Sequence, residues 1–435
     1  MAITPQTPVW GLGISIEQLI LLLYPTFLIP TAIFWYLDIR RRRHSAVKPK
    51  GYKKIGVQDS SNISDEYEDH KYAQGVEAGT EASGEPRWKI KALFIYPIKS
   101  CAPIELTDSE VEGTGLAWDR KFAWAELLKP QTQLDASEEE KKPVWTFRTL
   151  RAPGYEKLAL VKPEVWVPDI SKAKTDGSSS KDREAVLIIK YPNIPSGFLA
   201  PLDRLAISFG LFPAERSFQV PLNPPADHKY PSEDVVIWKN TPRWLNYGIH
   251  VPDDFRHYLG VKNPLTLFRV DPGSYREVHR NAPRKESLGY QPSVGFADAY
   301  PVHLLSLASV RDVAAKVRGE IPNFSARRFR SNVLITGSGA YNEDNWKRIR
   351  IGGEEFHCAC HTVRCKLPNV DPDSSERHPV EPDKTLKSFR CIDDGDPNNA
   401  CLGLMLVPVK EKGVTLKVGQ GLEVLQRGEH HYIKQ

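Results

Sequence analysis

The chain has 435 residues, a formal net charge of +5, 35 prolines against 29 glycines, and six cysteines. That length exceeds what one hydrophobic core usually serves, and the proline count argues for many turns rather than a helical bundle. The modest charge, with no basic block interleaved with aromatics in the body, argues against nucleic-acid binding, and six scattered cysteines fit a reducing compartment better than a disulfide framework.

Leu19 to Leu37 is apolar except for prolines and threonines. As a helix it would span roughly 28 Å, close to the thickness of a bilayer core. Arg40 to Arg43 follow it directly and no Lys or Arg precedes Arg40, so residues 1–44 read as a single-pass N-terminal anchor with the body on the cytosolic side. Residues 45–87 begin with a basic juxtamembrane segment. From Val57 to Pro86 the chain is acidic and almost without large apolar residues, which reads as a flexible acidic linker.

The globular part begins near Trp88. Ile90 to Tyr96, Glu110 to Val111, Phe122 to Leu127, Trp145 to Leu150 and Ala185 to Tyr191 are β-branched or aromatic runs separated by turn signals, which predict short strands. Gln131 to Lys142 and Ser171 to Arg183 are polar and read as surface insertions, and Trp244 to Leu259 reads as a helix. Further on, Leu307, Val310, Val313, Ala314 and Val317 share one helical face, capped by Ser306 or by an S-x-x-D box from Ser309 to Asp312. Val333 to Thr336 reads as a strand, Ile349 to Phe356 as a hairpin about Gly352-Gly353, and Thr415 to Leu425 as a closing strand pair. The fold class is mainly β with some helices (α+β). A β-barrel-like domain spans 88–270, a second β-rich barrel domain spans 271–427, and 428–435 is a tail.

The densest chemistry lies in Phe356 to Asp373, FHCACHTVRCKLPNVDPD. A thiolate here is a soft metal ligand or a nucleophile, and Cys365 lies between two cations, Arg364 and Lys366. In a strand, Cys358 and Cys360 would share one face and His357 and His361 the other, so no single tetrahedral ion collects all four. Asp371 and Asp373 read as turn chemistry rather than paired catalytic acids.

The runs IYPIKSCAPIEL, GLAWDRKFAW, PVHLLSLASVRDV, RRFRSNVLITG, TVRCKLPNVDPD and VTLKVGQGLEVL together resemble the N-terminal β-barrel and MOSC domain pair of the mitochondrial amidoxime-reducing component family. The resemblance covers most of Trp88 to Leu425 in the same order. It implies a molybdenum cofactor (Mo-molybdopterin) bound through the pterin and one thiolate, Cys365, which is both the metal ligand and the catalytic position. It implies a cofactor cradle of Lys99, Ser100, Arg120, Ser306, Arg330, Asn332 and Arg364. Two departures stand out: Phe329-Arg330-Ser331-Asn332 replaces F-R-P-N, and Met405 stands where the family usually has an aromatic.

What the resemblance implies for activity is reduction of small N-hydroxylated substrates, with cytochrome b5 and NADH-cytochrome b5 reductase as electron donors, since no haem, flavin or nicotinamide motif is evident. It also implies location on the mitochondrial outer membrane rather than the endoplasmic reticulum. Two other functions are compatible with the residues: a cofactor carrier or sulfuration accessory without turnover, and a membrane-tethered interaction protein stabilised by zinc.

Overall fold

A computed structural model describes residues 16–43, 46, 48–129, 142–169, 184–225 and 229–433. The expected insertions at 131–142 and 171–183 lie outside these, apart from Lys142. The chain divides into two compact units, one of Met1–Lys48 with Pro192–Phe218 and the other of Pro49–Tyr191 with Gln219–Gln435.

The first unit contains a helix at Ile16–Arg43, with Pro25 and Pro30 inside it, and a shorter one at Ala200–Ser208. Among the described residues no helix is long and apolar enough to cross a membrane, so the expected transmembrane span in 1–44 is not supported. Glu17 and Gln18 at one end, and the Pro25-Thr26 and Pro30-Thr31 pairs within, dilute the apolar run.

In the second unit the β-branched runs form an eight-stranded sheet in the order Leu422–Arg427, Trp346–Ile351, Glu354–Val363, Cys401–Pro408, Val302–Ser306, Val333–Thr336, Lys89–Ile95, Ile104–Leu106. Val302–Ser306 and Val333–Thr336 are its parallel neighbours. A parallel pair needs a crossover, and the helix Leu307–Val317 lies in that connection. Its apolar stripe packs with Phe94, Tyr96, Leu334 and Leu402 in one core. The Gly352-Gly353 hairpin forms as expected, with φ of 58° and 91° and Ile351 opposite Glu354.

A closed barrel is made by Phe122–Leu128, Val144–Phe147, Ser232–Val236, Arg243–Asn246 and Leu265–Arg269, sealed by a parallel pairing of Val235 with Trp145. Trp244, Phe268 and Phe296 fill its interior. The fold is thus mainly β with helices and a barrel, as the sequence pattern implies. The two expected β-rich domains nonetheless share a sheet, because Lys89–Ile95 pairs with Val333–Thr336.

Three expectations change. Trp244 to Leu259 is not one helix but a strand, a 3₁₀ turn at Gly248–His250 and a helix at Asp253–Leu259. Burial of Trp244 in the barrel, where its Nε1 donates to the Ser274 carbonyl at 2.6 Å, overrides the helical pattern. The strands at Val414–Lys417 and Leu422–Arg427 both form but do not pair with each other. The first pairs with Asp108–Glu112 and the second with Trp346–Ile351.

The linker is the third correction, because from Pro49 onward it is docked onto the body. Tyr52–Lys54 pairs with Lys162–Pro168, and Ile63 and Tyr72 join the main core. Glu66 is buried and accepts hydrogen bonds from Ser325 Oγ and the Ala326 amide, both at 2.7 Å. Few apolar residues suffice here because the acids find partners: Asp65 also pairs with Lys91 at 2.9 Å.

Candidate functional site

Cys365 follows the end of the Glu354–Val363 strand and is partly exposed. It opens into a cleft that is also lined by Lys99, Ser100, Arg120, Arg330, Asn332 and Arg364. The strand does not alternate as the sequence suggests. Register shifts between Cys358 and Cys360 and between His361 and Val363 re-aim the side chains, so Cys360 and His361 both line the cleft while Cys358 does not. Burial pushes the Cys360 thiol up to about 12, which leaves Cys365 as the accessible thiol of the cleft, with the half-buried thioether of Met405 also on its lining. Lys366, the second cation expected beside it, is exposed and does not line the cleft.

The segment after Lys89–Ile95 supplies one wall. Lys99 is buried, and its Nζ donates to the Phe296 carbonyl at 2.7 Å and to Asp298 Oδ1 at 2.6 Å. Burial lowers the Lys99 pKa. The Asp298 carboxyl reaches the exposed face of the cleft; desolvation by the surrounding atoms would raise its pKa, but Lys99, Arg120 and Arg276 hold it at about 2, so it is ionised at neutral pH. Arg120 bonds to Asp119, to Asn332 Oδ1 at 3.2 Å and to the Arg330 carbonyl at 2.9 Å. Ser100 Oγ accepts from the Leu150 amide at 3.2 Å.

The opposite wall is an arginine turn. Ala326–Phe329 is a short 3₁₀ turn that ends on Arg330. Arg327 and Arg328 are pinned to Asp373 and Asp371, while Glu66 holds the turn's start. Asp371 Oδ1 also accepts from the Asp373 and Ser374 amides, both at 2.9 Å. The Asp-Pro-Asp run is therefore a turn that also clamps the arginine segment. Arg330 stacks over Tyr96 at 4.1 Å, and burial pushes its pKa down to about 10. Arg364 is buried over Phe329, and its charge interacts with Cys365.

Several of these groups are incompletely satisfied. Arg330 Nη2, Arg364 Nε, His303 Nε2 and Thr362 Oγ1 are buried without a hydrogen-bond partner, and all four residues line the cleft. Unpaired buried polar atoms cost free energy, and the two guanidinium nitrogens among them, obligate donors at one cavity, mark where an anionic group fits. Backbone strain gathers here too. Of the eight non-glycine residues with positive φ among those described, Ser100, Arg120, Trp238 and Arg330 line the cleft.

The cleft brings together Cys365, Lys99, Ser100, Arg120, Arg330, Asn332 and Arg364, but not Ser306. Ser306 is fully buried, its Oγ lies 3.3 Å from Ser338 Oγ, and it does not line the cleft. It ends a core strand beneath the sheet surface, and its expected place in a cofactor cradle is corrected. The alternative capping box is absent as well, since Ser309 Oγ donates to Glu343 Oε1 at 2.6 Å. Asn332 lines the cleft with its amide committed to Arg120, the His303 amide and the Phe94 carbonyl, so it braces the wall.

Sequence reading missed Asp298, His303, Arg151 and Trp238, all of which line the cleft. Asp298 carried a signal: it is the one charge in the apolar run Val294 to Pro301. A second cluster, His361, Asp393 and Cys401, adjoins the cleft through His361, with ligand atoms within 4.8 Å of one another. Both ring nitrogens of His361 are occupied, Nδ1 by Asp393 at 2.7 Å and Nε2 by the Asp344 carbonyl at 2.9 Å.

Residues 291–423 match the MOSC domain, and residues 87–129 match the MOSC N-terminal beta barrel domain. The chain carries both MOSC modules. Mitochondrial amidoxime-reducing component 1 of Mus musculus is 37% identical over 103 residues, 24% of this chain and 29% of that protein. Mitochondrial amidoxime reducing component 2 of Rattus norvegicus is 35% identical over 181 residues, 42% and 52% respectively. A molybdenum cofactor sulfurase of Oryza sativa subsp. japonica is 30% identical over 315 residues, 69% of this chain and 31% of the relative. The chain therefore spans less than two thirds of each of these relatives. The cleft draws on both modules, with Lys99, Ser100 and Arg120 from the barrel match and Arg330, Arg364 and Cys365 from the MOSC match.

Proposed function

We propose that this protein binds a molybdenum cofactor in the Cys365 cleft and reduces N-hydroxylated compounds to their N–H counterparts. The observation that carries this reading is one accessible thiol sharing a cavity with buried cationic donors that lack partners. Thiolate suits a soft transition metal, and arginine and lysine suit a phosphate tail. In this reading Cys365 ligates the metal, while Arg330, Arg364 and Lys99 hold the anionic end. The bound cofactor supplies two-electron redox chemistry.

In the net reaction the N–O bond breaks, an N–H bond forms, and the oxygen leaves as water, consuming two electrons and two protons. Asp298, ionised at neutral pH, does not donate a proton itself. It holds Lys99 Nζ, a proton-bearing group whose grip burial weakens. We assign the electrons to a one-electron haem carrier, cytochrome b5, reloaded by NADH-cytochrome b5 reductase. The exposed apolar side chains of the Ile16–Arg43 helix, Leu21, Phe27, Phe34 and Trp35 among them, support membrane attachment of this segment. The mitochondrial outer membrane is the proposed location. A fluorescent fusion of residues 1–54 tests it, and cytosolic fluorescence would remove it.

The reading is tested by metal analysis of the full chain made in a cofactor-competent host. One molybdenum per chain and benzamidoxime reduction with reduced cytochrome b5 are expected, and absence of molybdenum would remove the proposal. Similarity to the sulfurase over 69% of the chain favours a second reading, a carrier that binds the same cofactor without turnover. Stoichiometric molybdenum with no reduction would select it.

A further inference from the structure

Trp238 sits in a conformation that its residue type resists. Ile237 and Asn240 exchange two backbone hydrogen bonds, both at 2.9 Å, so Trp238 and Lys239 form the two-residue turn joining barrel strands Ser232–Val236 and Arg243–Asn246. A two-residue turn with positive φ at its first central residue alone is of the II′ kind, where Gly is favoured at that position. Trp238 adopts φ 54°, at a cost of roughly 1–2 kcal/mol for a side chain with a Cβ. Foldability alone does not place an indole there, and a strained residue at a cavity mouth points to a role in binding.

The indole's surroundings indicate what it binds. Trp238 lines the cleft and is 42% exposed. Its ring stands edge-on to Phe147, with centroids 5.0 Å apart, and the Arg151 guanidinium lies 5.0 Å from its centroid. Phe147 in turn lies 5.8 Å from Lys99 Nζ. An exposed aromatic edge thus runs inward from the rim to the wall that carries Lys99. Arg151 is exposed, and no described carboxylate lies within ion-pair distance of it.

We infer that Trp238 and Arg151 form a substrate clamp at the cleft mouth, selecting planar aromatic N-hydroxylated compounds, above all those with an acidic ring substituent. This rests on the reductase reading for the N-hydroxyl group, but the clamp itself is a binding site with its own readout. The ring packs against the indole, and the acidic substituent pairs with the Arg151 guanidinium, a planar fork suited to carboxylate.

The test measures calorimetric binding of benzamidoxime, 4-carboxybenzamidoxime and acetamidoxime to the full chain, together with KM and kcat for each on the molybdenum-loaded protein. Trp238→Gly keeps the turn, because glycine accepts φ 54°, so an unaltered melting temperature separates loss of binding from loss of fold. In Trp238→Gly the binding and KM advantage of benzamidoxime over acetamidoxime falls about tenfold, with kcat moving less, and Trp238→Phe retains most of it. In Arg151→Gln the preference for the carboxylated ring over benzamidoxime falls about fivefold. An aromatic preference unchanged in Trp238→Gly, or wild-type protein that binds the aromatic probes no better than acetamidoxime, overturns the clamp. Trp238-dependent aromatic binding without turnover keeps the clamp and removes the reductase reading.

Discussion

Two groups of chemically able side chains lie close together in this molecule, and they differ in how completely the protein satisfies them. On the cleft wall, Arg330, Arg364, His303 and Thr362 each keep a buried donor or acceptor without a partner. In the adjoining cluster, His361 has both ring nitrogens bonded, and Asp393 accepts from His361, Gly395 and Tyr432. A side chain whose bonds all close within the protein is part of its scaffold, and one left open is arranged for something the chain does not itself supply. Residue type alone would rank the His-Asp-Cys cluster as the better metal site. Completeness of bonding ranks it second.

The largest expected effect tests the open side. Cys365→Ala removes a partly exposed thiol in a loop, so the melting temperature should move by no more than about 2 °C. Molybdenum content and N-reductase turnover should fall by at least about 100-fold, read by metal analysis and benzamidoxime assay. The next effect tests the closed side. Asp393→Ala leaves the buried His361 and two part-buried amides without their acceptor, which should destabilise the protein by about 3 kcal/mol in urea denaturation. Added zinc should give no stabilisation of the wild type. A zinc-dependent rise in its melting temperature would reverse the ranking of the two clusters.

The cleft was more legible in the sequence than much of the scaffold around it. Cys365 and Arg364 stand out by residue type, and Lys99, Arg120 and Arg330 by the resemblance of their runs to the family's motifs; the five converge although 266 residues separate Lys99 from Cys365. Ser306 was misplaced because a helix N-terminus reads as an anion site from spacing alone, and only burial shows that its hydroxyl faces Ser338. The segment from Pro49 to Pro86 was misread because composition counts apolar residues without asking where they land. Ile63 and Tyr72 suffice when Glu66 and Asp65 each find a specific partner. Trp238 was invisible because its meaning lies in a φ value, which depends on a two-residue turn that closes only once the barrel strands are in register.

A smaller effect sharpens the contrast further. Arg330→Met removes a buried charge with an unpaired nitrogen, so the cofactor-free protein should be unchanged or slightly more stable. Cofactor retention during dialysis should weaken about tenfold. A substitution in the closed cluster should do the reverse, costing stability first.

The smallest effect lies at a buried carboxyl bordering the closed cluster. Glu343 neighbours Asp344, whose carbonyl accepts from His361, and it is fully buried, with Oε1 bonded to Ser309 and Oε2 unpartnered. Burial raises its pKa to about 7, with Asp344 adding to the rise. Between the ordinary value of 4.5 and about 7 the folded state therefore holds a proton that the unfolded state has released. Stability from this group is full below about pH 4.5 and declines as pH rises through 7, the sign expected for a raised acid. The shift bounds the loss at about 3 kcal/mol, and opening of the short Asn342–Asn345 turn to water should reduce it to about 1 kcal/mol. Glu343→Gln should flatten this part of the stability profile from pH 5 to 8, measured by urea denaturation at each pH. An unchanged slope would mean that Glu343 carries no raised pKa in the folded protein and that its unpartnered oxygen does not mark a proton-holding site.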